Sequence, residues 1–282
     1  MPFINSAQNN GEAVQIYYDD SGAGKPVVFI HGWPLSGSMW EYQVTQLPQQ
    51  GMRCITYDRR GFGKSDRPFG KYDYDTLAGD LKSLLDELDL NDVTLVGFSM
   101  GGGEIAKYFS LYNGERVSKC VLVSAVVPYM LKTGDNPEGV PQEVFDKMEK
   151  GMREDRPAFM EDFAKDFFGV SLTNHAVSDA FLKNNFIKVM DASPIATLEC
   201  AHSFSSTDFR KDVPKINVPT LIIHGDADKT VPIKATGEES ARLIKGAKYI
   251  VYEGAPHGLW YTDKDKLNQD ILDFVNGNVK EE

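Results

Sequence analysis

The chain has 282 residues, of which 41% are hydrophobic and 25% charged, so it can bury the core of one large domain with an insertion. Its formal net charge of −11 argues against partners with a phosphate backbone and against anionic membranes, so neither nucleic acid nor a membrane is an expected partner. No apolar stretch approaches the roughly 20 residues that span a bilayer. Residues 1–13 also lack the basic and then apolar order of a signal peptide, which makes the cytoplasm the expected location.

The first half of the chain alternates short apolar runs with amphipathic segments, which is the pattern of an α/β fold. Helices are predicted over residues 76–90, where leucines recur on one helical face, and over residues 100–112. Apolar character predicts the strands around them, at residues 13–18, 26–30, 53–57, 93–97 and 117–124. This order predicts a mostly parallel sheet flanked by helices.

The pattern changes between residues 129 and 213, where helical segments rich in aromatic residues follow the turn-rich stretch TGDNPEGVP. We interpret residues 129–213 as a helical cap, or lid, and residues 1–128 and 214–282 as the core. The sheet pattern then resumes, with strands predicted at 218–225 and 248–253 and helices near 234–244 and 264–275.

The segment GFSMG, residues 97–101, fits the pattern G-x-S-x-G between a predicted strand and a predicted helix. A sharp turn from strand to helix strains the backbone of its central residue, Ser99, and the missing Cβ atoms of Gly97 and Gly101 leave room for that turn. The motif therefore indicates a nucleophilic serine, provided that a base and an acid accompany it.

Both partners follow in the sequence. A serine nucleophile needs a base within hydrogen-bond reach and an acid that orients the base. The segment HGDADKTVP supplies Asp226 and Asp228 after an apolar strand, and GAPHGLW supplies His257 in a later loop. The order serine, aspartate, histidine is that of α/β-hydrolases. His224 is the rival base, although its place before a glycine at a strand end favours a local hydrogen bond.

Together these segments resemble the α/β-hydrolase fold superfamily, and within it the bacterial cofactor-free haloperoxidases with related perhydrolases, arylesterases and γ-lactamases. The resemblance runs nearly end to end and implies an eight-stranded, mostly parallel sheet with the lid inserted after the sixth strand. It rests on five motifs: HGW at 31–33, YDRRGFGKS at 57–65, GFSMGGG at 97–103, IIHGDADKTVP at 222–232 and GAPHGL at 254–259.

The resemblance also implies roles for the site residues. Ser99 is the nucleophile, His257 the general base and Asp228 the acid, with Asp226 as the fallback. An acyl-enzyme formed from a small ester or carboxylic acid passes to water or to hydrogen peroxide, and the resulting peracid oxidises bromide or chloride. This chemistry implies no heme, vanadium, other metal or organic cofactor.

An oxyanion hole is implied at the backbone N–H groups of Trp33 and Met100, and the physical logic agrees, because one donor begins a helix and the other lies in the HGW loop. Pro34 restricts the backbone of Trp33. We therefore hypothesise that the Trp33 carbonyl accepts a hydrogen bond from peroxide and favours peroxide over water. Apolar character at strand ends or on the lid suggests an acyl pocket, which includes Pro34, Val126, Met130, Phe159, Phe163 and Val231.

Two alternatives remain open at this stage. The same triad could open a γ-lactam or another amide, and the fold could serve as a non-catalytic binding protein for small ligands. The sequence also leaves a homo-oligomer open. Cys54, Cys120 and Cys200 are odd in number and far apart, so buried thiols are expected rather than disulfides or metal ligands.

Overall fold

The computed structural model describes residues 2–9, 12–171 and 176–278. The strands in these residues are β1 (Phe3–Asn9), β2 (Glu12–Gly22), β3 (Lys25–Ile30), β4 (Met52–Tyr57), β5 (Val93–Phe98), β6 (Val117–Val123), β7 (Thr220–Gly225) and β8 (Lys248–Tyr252). The helices are α1 (Glu41–Val44), α2 (Tyr74–Glu87), α3 (Met100–Tyr112), α4 (Gln142–Phe167), α5 (Asp179–Met190), α6 (Pro194–Ser206), α7 (Gly237–Leu243), α8 (Leu259–Thr262) and α9 (Lys264–Asn276). Short 3₁₀ turns span Gly37–Trp40, Leu47–Gln50 and Val213–Lys215.

These eight strands form one sheet in the order β1-β2-β4-β3-β5-β6-β7-β8. Strand β2 runs antiparallel to β1 and β4, and the other neighbours are parallel, so the prediction of a mostly parallel α/β sheet is confirmed. Ile30 of β3 pairs with Gly97 of β5, so the loop after β3 and the turn after β5 leave the sheet side by side. The chain order reverses between these two strands, and such a switch point at the carboxyl ends of parallel strands is where ligands bind in open α/β sheets.

The local sequence explains the central elements. All six residues of β5 are buried, as expected for a strand covered on both faces. Helix α2 begins at a cap in which the Asp73 carboxylate accepts the Thr76 amide at 2.9 Å, and its leucines face the core. Helix α3 covers the predicted residues 100–112 and ends at Asn113, which adopts the left-handed conformation (φ 52°) that often terminates helices.

Helices α4, α5 and α6 lie between β6 and β7, within the segment that the sequence assigns to the lid. Helix α4 is kinked at Asp155 (φ −153°, ψ 83°), two residues before Pro157, because proline removes a helical hydrogen bond and clashes with the preceding turn. The boundaries of the lid at residues 129 and 213 stay a prediction.

The structure differs from the predicted elements chiefly at the start of the chain. Strand β1 was not among the predicted strands, because its run FINSAQN is mostly polar and lies at the sheet edge, where a single neighbour suffices to pair it. Helix α7 begins at Gly237, three residues later than predicted. The prediction of buried thiols is confirmed, since the three cysteines are unbonded and buried. None of the helices in the described residues has the length and apolarity needed to cross a membrane.

Candidate active site

Ser99 occupies the turn between β5 and α3 with φ 53° and ψ −116°, a strained conformation for a residue with a side chain. The flanking glycines make this turn sterically possible. A Cβ on Gly97 would lie 2.8 Å from the carbonyl carbon of Gly101, and a Cβ on Gly101 would lie 2.7 Å from the Ile30 carbonyl oxygen. The helix therefore begins directly against the sheet, and Ser99 stands at its N-terminus.

The three residues of the predicted triad lie within hydrogen-bond distance of one another. His257 Nε2 is 3.0 Å from Ser99 Oγ, and His257 Nδ1 is 2.6 Å from Asp228 Oδ2. Because a carboxylate only accepts, Nδ1 carries the proton and donates it to Asp228, which leaves Nε2 free to accept from the serine. Ser99 is 6% exposed and His257 is fully buried, so this chain of bonds is shielded from water.

Asp228 is held by its other oxygen. Oδ1 accepts the backbone amides of Thr230 and Val231, each at 2.8 Å. Burial by itself would raise the pKa of this carboxyl group, but the attraction of His257 and hydrogen bonding from His224 and His257 outweigh burial and hold the pKa well below its ordinary value. The Asp228 carboxyl group is therefore ionised at neutral pH.

Asp226, the fallback acid, points elsewhere. Asp226 is exposed, and its carboxylate accepts a hydrogen bond from the backbone amide of Gly254 at 2.6 Å. The two carboxylates follow the same strand, but the turn directs only Asp228 toward the imidazole.

His224, the rival base, is fully buried and makes the local contacts that its position in the sequence favours. Its Nε2 lies 3.1 Å from the Val231 carbonyl oxygen and 3.3 Å from Asp228 Oδ2, so it carries the proton and faces two acceptors. Its Nδ1 is buried without a hydrogen-bond partner among the described residues. His224 therefore contacts the same carboxylate oxygen as His257, and among the described residues no hydrogen bond joins it to Ser99.

Two aromatic rings that were not among the sequence candidates enclose the base. The Phe98 ring lies 4.9 Å from the His257 ring, and the Phe167 ring of α4 lies 4.7 Å from it at 90°. Phe98 is the variable residue of the G-x-S-x-G motif, which could have marked it, whereas no local signal marks Phe167. These contacts fix the plane of the imidazole.

The two amides expected to form the oxyanion hole lie on adjacent connections of the sheet. Met100 is the first residue of α3, where the amides have no intrahelical acceptor. Trp33 follows β3; its indole donates to the Thr197 carbonyl at 2.9 Å and its peptide bond to Pro34 is cis. Within the described chain, neither amide donates to a protein acceptor. Their role as the oxyanion hole stays a prediction.

The six pocket candidates fall into three groups. Pro34 and Phe163 line a common cavity of about 10 Å³ beside Phe167, and Phe159 stacks on Phe163 with ring centres 5.8 Å apart. A second group contacts the triad through the backbone: the Val126 amide donates to the Ser99 carbonyl at 3.1 Å, and the Val231 amide binds Asp228. Met130 is buried at 2% exposure, and its carbonyl accepts the Val140 amide. The role of these six side chains in binding an acyl group stays a prediction.

The fold and this arrangement of residues define a class of protein. Residues 25–263 match the family of the alpha/beta hydrolase fold, and the chain belongs to that family. Within the described residues, no group of three or more His, Cys, Asp or Glu side chains is arranged to hold a metal ion.

Three similar proteins narrow the class. The chain is 44% identical over 267 residues to the non-heme chloroperoxidase CPO-A1 of Kitasatospora aureofaciens, covering 94% of this chain and 97% of that protein. It is 38% identical to the bifunctional esterase/perhydrolase DCH of Acinetobacter calcoaceticus, with the same coverage. The crystal structure of bromoperoxidase from Bacillus anthracis superposes with a TM-score of 0.93 at 47% identity, covering 98% of this chain and 100% of that one. This similarity confirms the predicted group, the non-heme haloperoxidases, and the prediction of an enzyme, so the non-catalytic alternative is dropped.

Proposed function

We propose that the protein is a serine hydrolase that cleaves small esters through an acyl-enzyme and transfers the acyl group to water or to hydrogen peroxide. The observation that carries this proposal is the unbroken chain of hydrogen bonds from Ser99 through His257 to Asp228, at 3.0 and 2.6 Å. The names of the relatives, which include a non-heme chloroperoxidase and a bifunctional esterase/perhydrolase, support it.

In the acylation step, His257 Nε2 takes the hydroxyl proton while Ser99 Oγ forms a bond to the ester carbonyl carbon. The carbonyl oxygen becomes an oxyanion, which the amides of Met100 and Trp33 stabilise more strongly than they stabilise the neutral ester. The imidazolium, held by the Asp228 carboxylate, then gives its proton to the leaving alcohol, or to the leaving hydroxyl group, which departs as water, when the substrate is a carboxylic acid. The product is an acyl-enzyme on Ser99.

In the deacylation step, water or peroxide attacks the acyl-enzyme while His257 again accepts a proton, and His257 returns this proton to Ser99 Oγ as the bond between the acyl group and the serine breaks. Water releases the carboxylic acid, and peroxide releases a peracid. The peracid then transfers one oxygen atom to bromide or chloride, which forms a hypohalous acid and returns the carboxylic acid. The halide is thus oxidised by the product of ester chemistry.

Three predicted properties stay proposals beside this activity: a cytoplasmic location, a homo-oligomer, and the absence of nucleic acid and membrane among its partners. The net charge of −11 supports the last of them.

The decisive experiment compares the wild-type protein with a Ser99→Ala variant. Wild type should release p-nitrophenol from p-nitrophenyl acetate in a burst, should react with a fluorophosphonate probe at Ser99, and should brominate monochlorodimedone when acetate and peroxide are present. The Ser99→Ala variant should lose all three reactions while keeping its melting temperature. Equal activity of both proteins would overturn the proposal.

The preference for peroxide is tested separately with Pro34→Leu. If Pro34 orients the Trp33 carbonyl toward peroxide, the ratio of perhydrolysis to hydrolysis should fall in this variant while ester cleavage continues. An unchanged ratio would refute the role of Pro34 and leave the esterase proposal standing.

A further inference from the structure

The two proposed oxyanion donors come from separate parts of the chain, and catalysis depends on their separation. Trp33 lies in the loop after β3, whereas Met100 begins α3 after β5. Donors to an oxyanion must converge on one point at about 2.7–3.1 Å. The triad fixes Ser99 relative to His257, but among the described residues no hydrogen bond joins a triad side chain to the loop of Trp33.

A buried arginine, Arg59, connects helix α3 to the loop of Trp33. Arg59, which follows β4, donates through Nε to Glu104 Oε1 at 2.8 Å, and its Nη2 binds the same oxygen. Glu104 lies in α3, one turn after Met100. The same Nη2 donates to the carbonyl oxygen of His31 at 2.7 Å, two residues before Trp33.

The loop is held at a second point through the His31 side chain. The Arg59 backbone amide donates to His31 Nε2 at 2.9 Å, so Nδ1 carries the proton and donates to the Gly32 carbonyl at 2.8 Å. Arg59 Nη1 also lies near His31 Nδ1, at 3.3 Å. This distance is longer than the 2.9 and 2.8 Å contacts from which the tautomer is assigned. Burial, followed by the charge of Arg59, lowers the pKa of His31 well below its ordinary value, so the ring stays neutral. The two carbonyls that precede Trp33 thus have fixed partners.

Stability alone does not account for this pair. The side chains of Arg59 and Glu104 are each 1% exposed, and Tyr57 donates to the other oxygen of Glu104 at 2.6 Å. Removing two charges from water costs several kcal/mol per ion, and apolar residues of similar volume are often as stabilising as a buried ion pair. What an apolar pair cannot supply is a directional link between α3 and the loop.

We propose that the Arg59–Glu104 pair positions the loop of Trp33 against the first turn of α3 and so sets the two oxyanion donors at the separation that acyl transfer needs. This inference rests on the proposed function. Arg59 and Glu104 are positioning residues, because they act through the backbone of other residues and do not contact the substrate.

The first test variant replaces the whole group, as Tyr57→Phe with Arg59→Met and Glu104→Met, so that no buried charge is left unpaired. Its matched control is Arg60→Met with Asp80→Met, because Arg60 and Asp80 form an equally buried ion pair whose carboxylate lies in α2. Both variants should melt at similar temperatures, because each replaces a buried ion pair by apolar side chains.

The first measurement determines kcat and KM separately for p-nitrophenyl acetate. The second measures inhibition by phenylboronic acid, which forms a tetrahedral adduct with the serine. Loss of one oxyanion donor costs about 10²–10³ in kcat, so a misplaced donor should cost about 10- to 100-fold, with KM nearly unchanged. The affinity for phenylboronic acid should fall in parallel. The control should keep kcat within about two-fold, since its ion pair does not join α3 to the loop.

A second variant, Arg59→Lys, keeps the charge beside Glu104 and serves if the triple variant fails to fold. A lysine can reach Glu104 or the His31 carbonyl but lacks the planar fork that binds both, so it should show the same loss in kcat. A wild-type kcat in either folded variant, or a rise in KM alone, would overturn the inference. If wild type itself lacks Ser99-dependent activity, the proposed function fails first, so the two failures are distinguishable.

Discussion

Replacement of Asp228 by asparagine should disable the base by changing its tautomer. Oδ1 of Asp228 faces two backbone donors, the amides of Thr230 and Val231, so an asparagine must keep its carbonyl oxygen there. Its NH₂ group is then directed at His257 Nδ1, 2.6 Å away in the wild type. Nδ1 has to accept, the proton moves to Nε2, and Nε2 can no longer take the proton of Ser99.

The size of the effect follows from this switch. Fixing the imidazole in the wrong tautomer of a serine triad lowers kcat about 10⁴-fold, which corresponds to about 5.4 kcal/mol in the activation barrier. The fold should tolerate the change, because the asparagine keeps both backbone hydrogen bonds and the same volume. We expect the burst of p-nitrophenol in stopped-flow measurements to slow by this factor in protein whose circular dichroism matches that of the wild type. The melting temperature at neutral pH should fall, because the neutral amide loses the attraction between the carboxylate and His257.

Asp226→Asn is the matched control, since it makes the same chemical change two residues away at an exposed carboxylate that binds the Gly254 amide. It should keep kcat within about two-fold of wild type, because no bond of Asp226 reaches the base. The reasoning would be refuted if Asp228→Asn kept more than about a tenth of the wild-type rate, or if Asp226→Asn lost as much.

Three further predictions concern packing, pH and thiols. Gly102→Ala should destabilise the protein by about 1–3 kcal/mol in urea unfolding, because its Cβ would lie 2.4 Å from the Cβ of Ala125, whereas Gly134→Ala, which has open space, should be neutral. Because the pKa of Asp228 is lowered in the folded state, its stabilisation is complete above the ordinary carboxyl value of about 3.9 and is lost as the pH falls toward the folded value. Below about pH 4, the free energy of unfolding should therefore fall less steeply with decreasing pH in Asp228→Asn than in the wild type, as measured by circular dichroism. Equal slopes in the two proteins would contradict this. Burial raises the pKa of the Cys54 thiol to about 12, so Ellman's reagent should find no thiol in native protein and three after denaturation, and rapid native reaction would count against the fold.

The strands and helices near Ser99 could be predicted from the sequence because the residues that determine them lie within each segment. The run before Ser99 is apolar throughout, and Gly97 and Gly101 allow a turn that only small residues permit. Helix α3 covers the predicted residues 100–112, because it directly follows the G-x-S-x-G turn and ends before the next predicted strand. Strand β1 was missed because its pairing with β2, rather than its own composition, makes it a strand.

The sequence by itself determined the candidates for the triad: one serine in a strained turn, two carboxylates after a strand and one histidine in a late loop. Only the tertiary structure decided between Asp226 and Asp228, because a turn of a few residues directs one carboxylate to the imidazole and the other to a backbone amide. It also decided that Phe167 packs on the base and that Arg59 joins Glu104 to the loop after β3. These contacts join residues 28 or more positions apart. Patterns within a single segment predict its secondary structure, but they do not predict which distant side chains will pack against it.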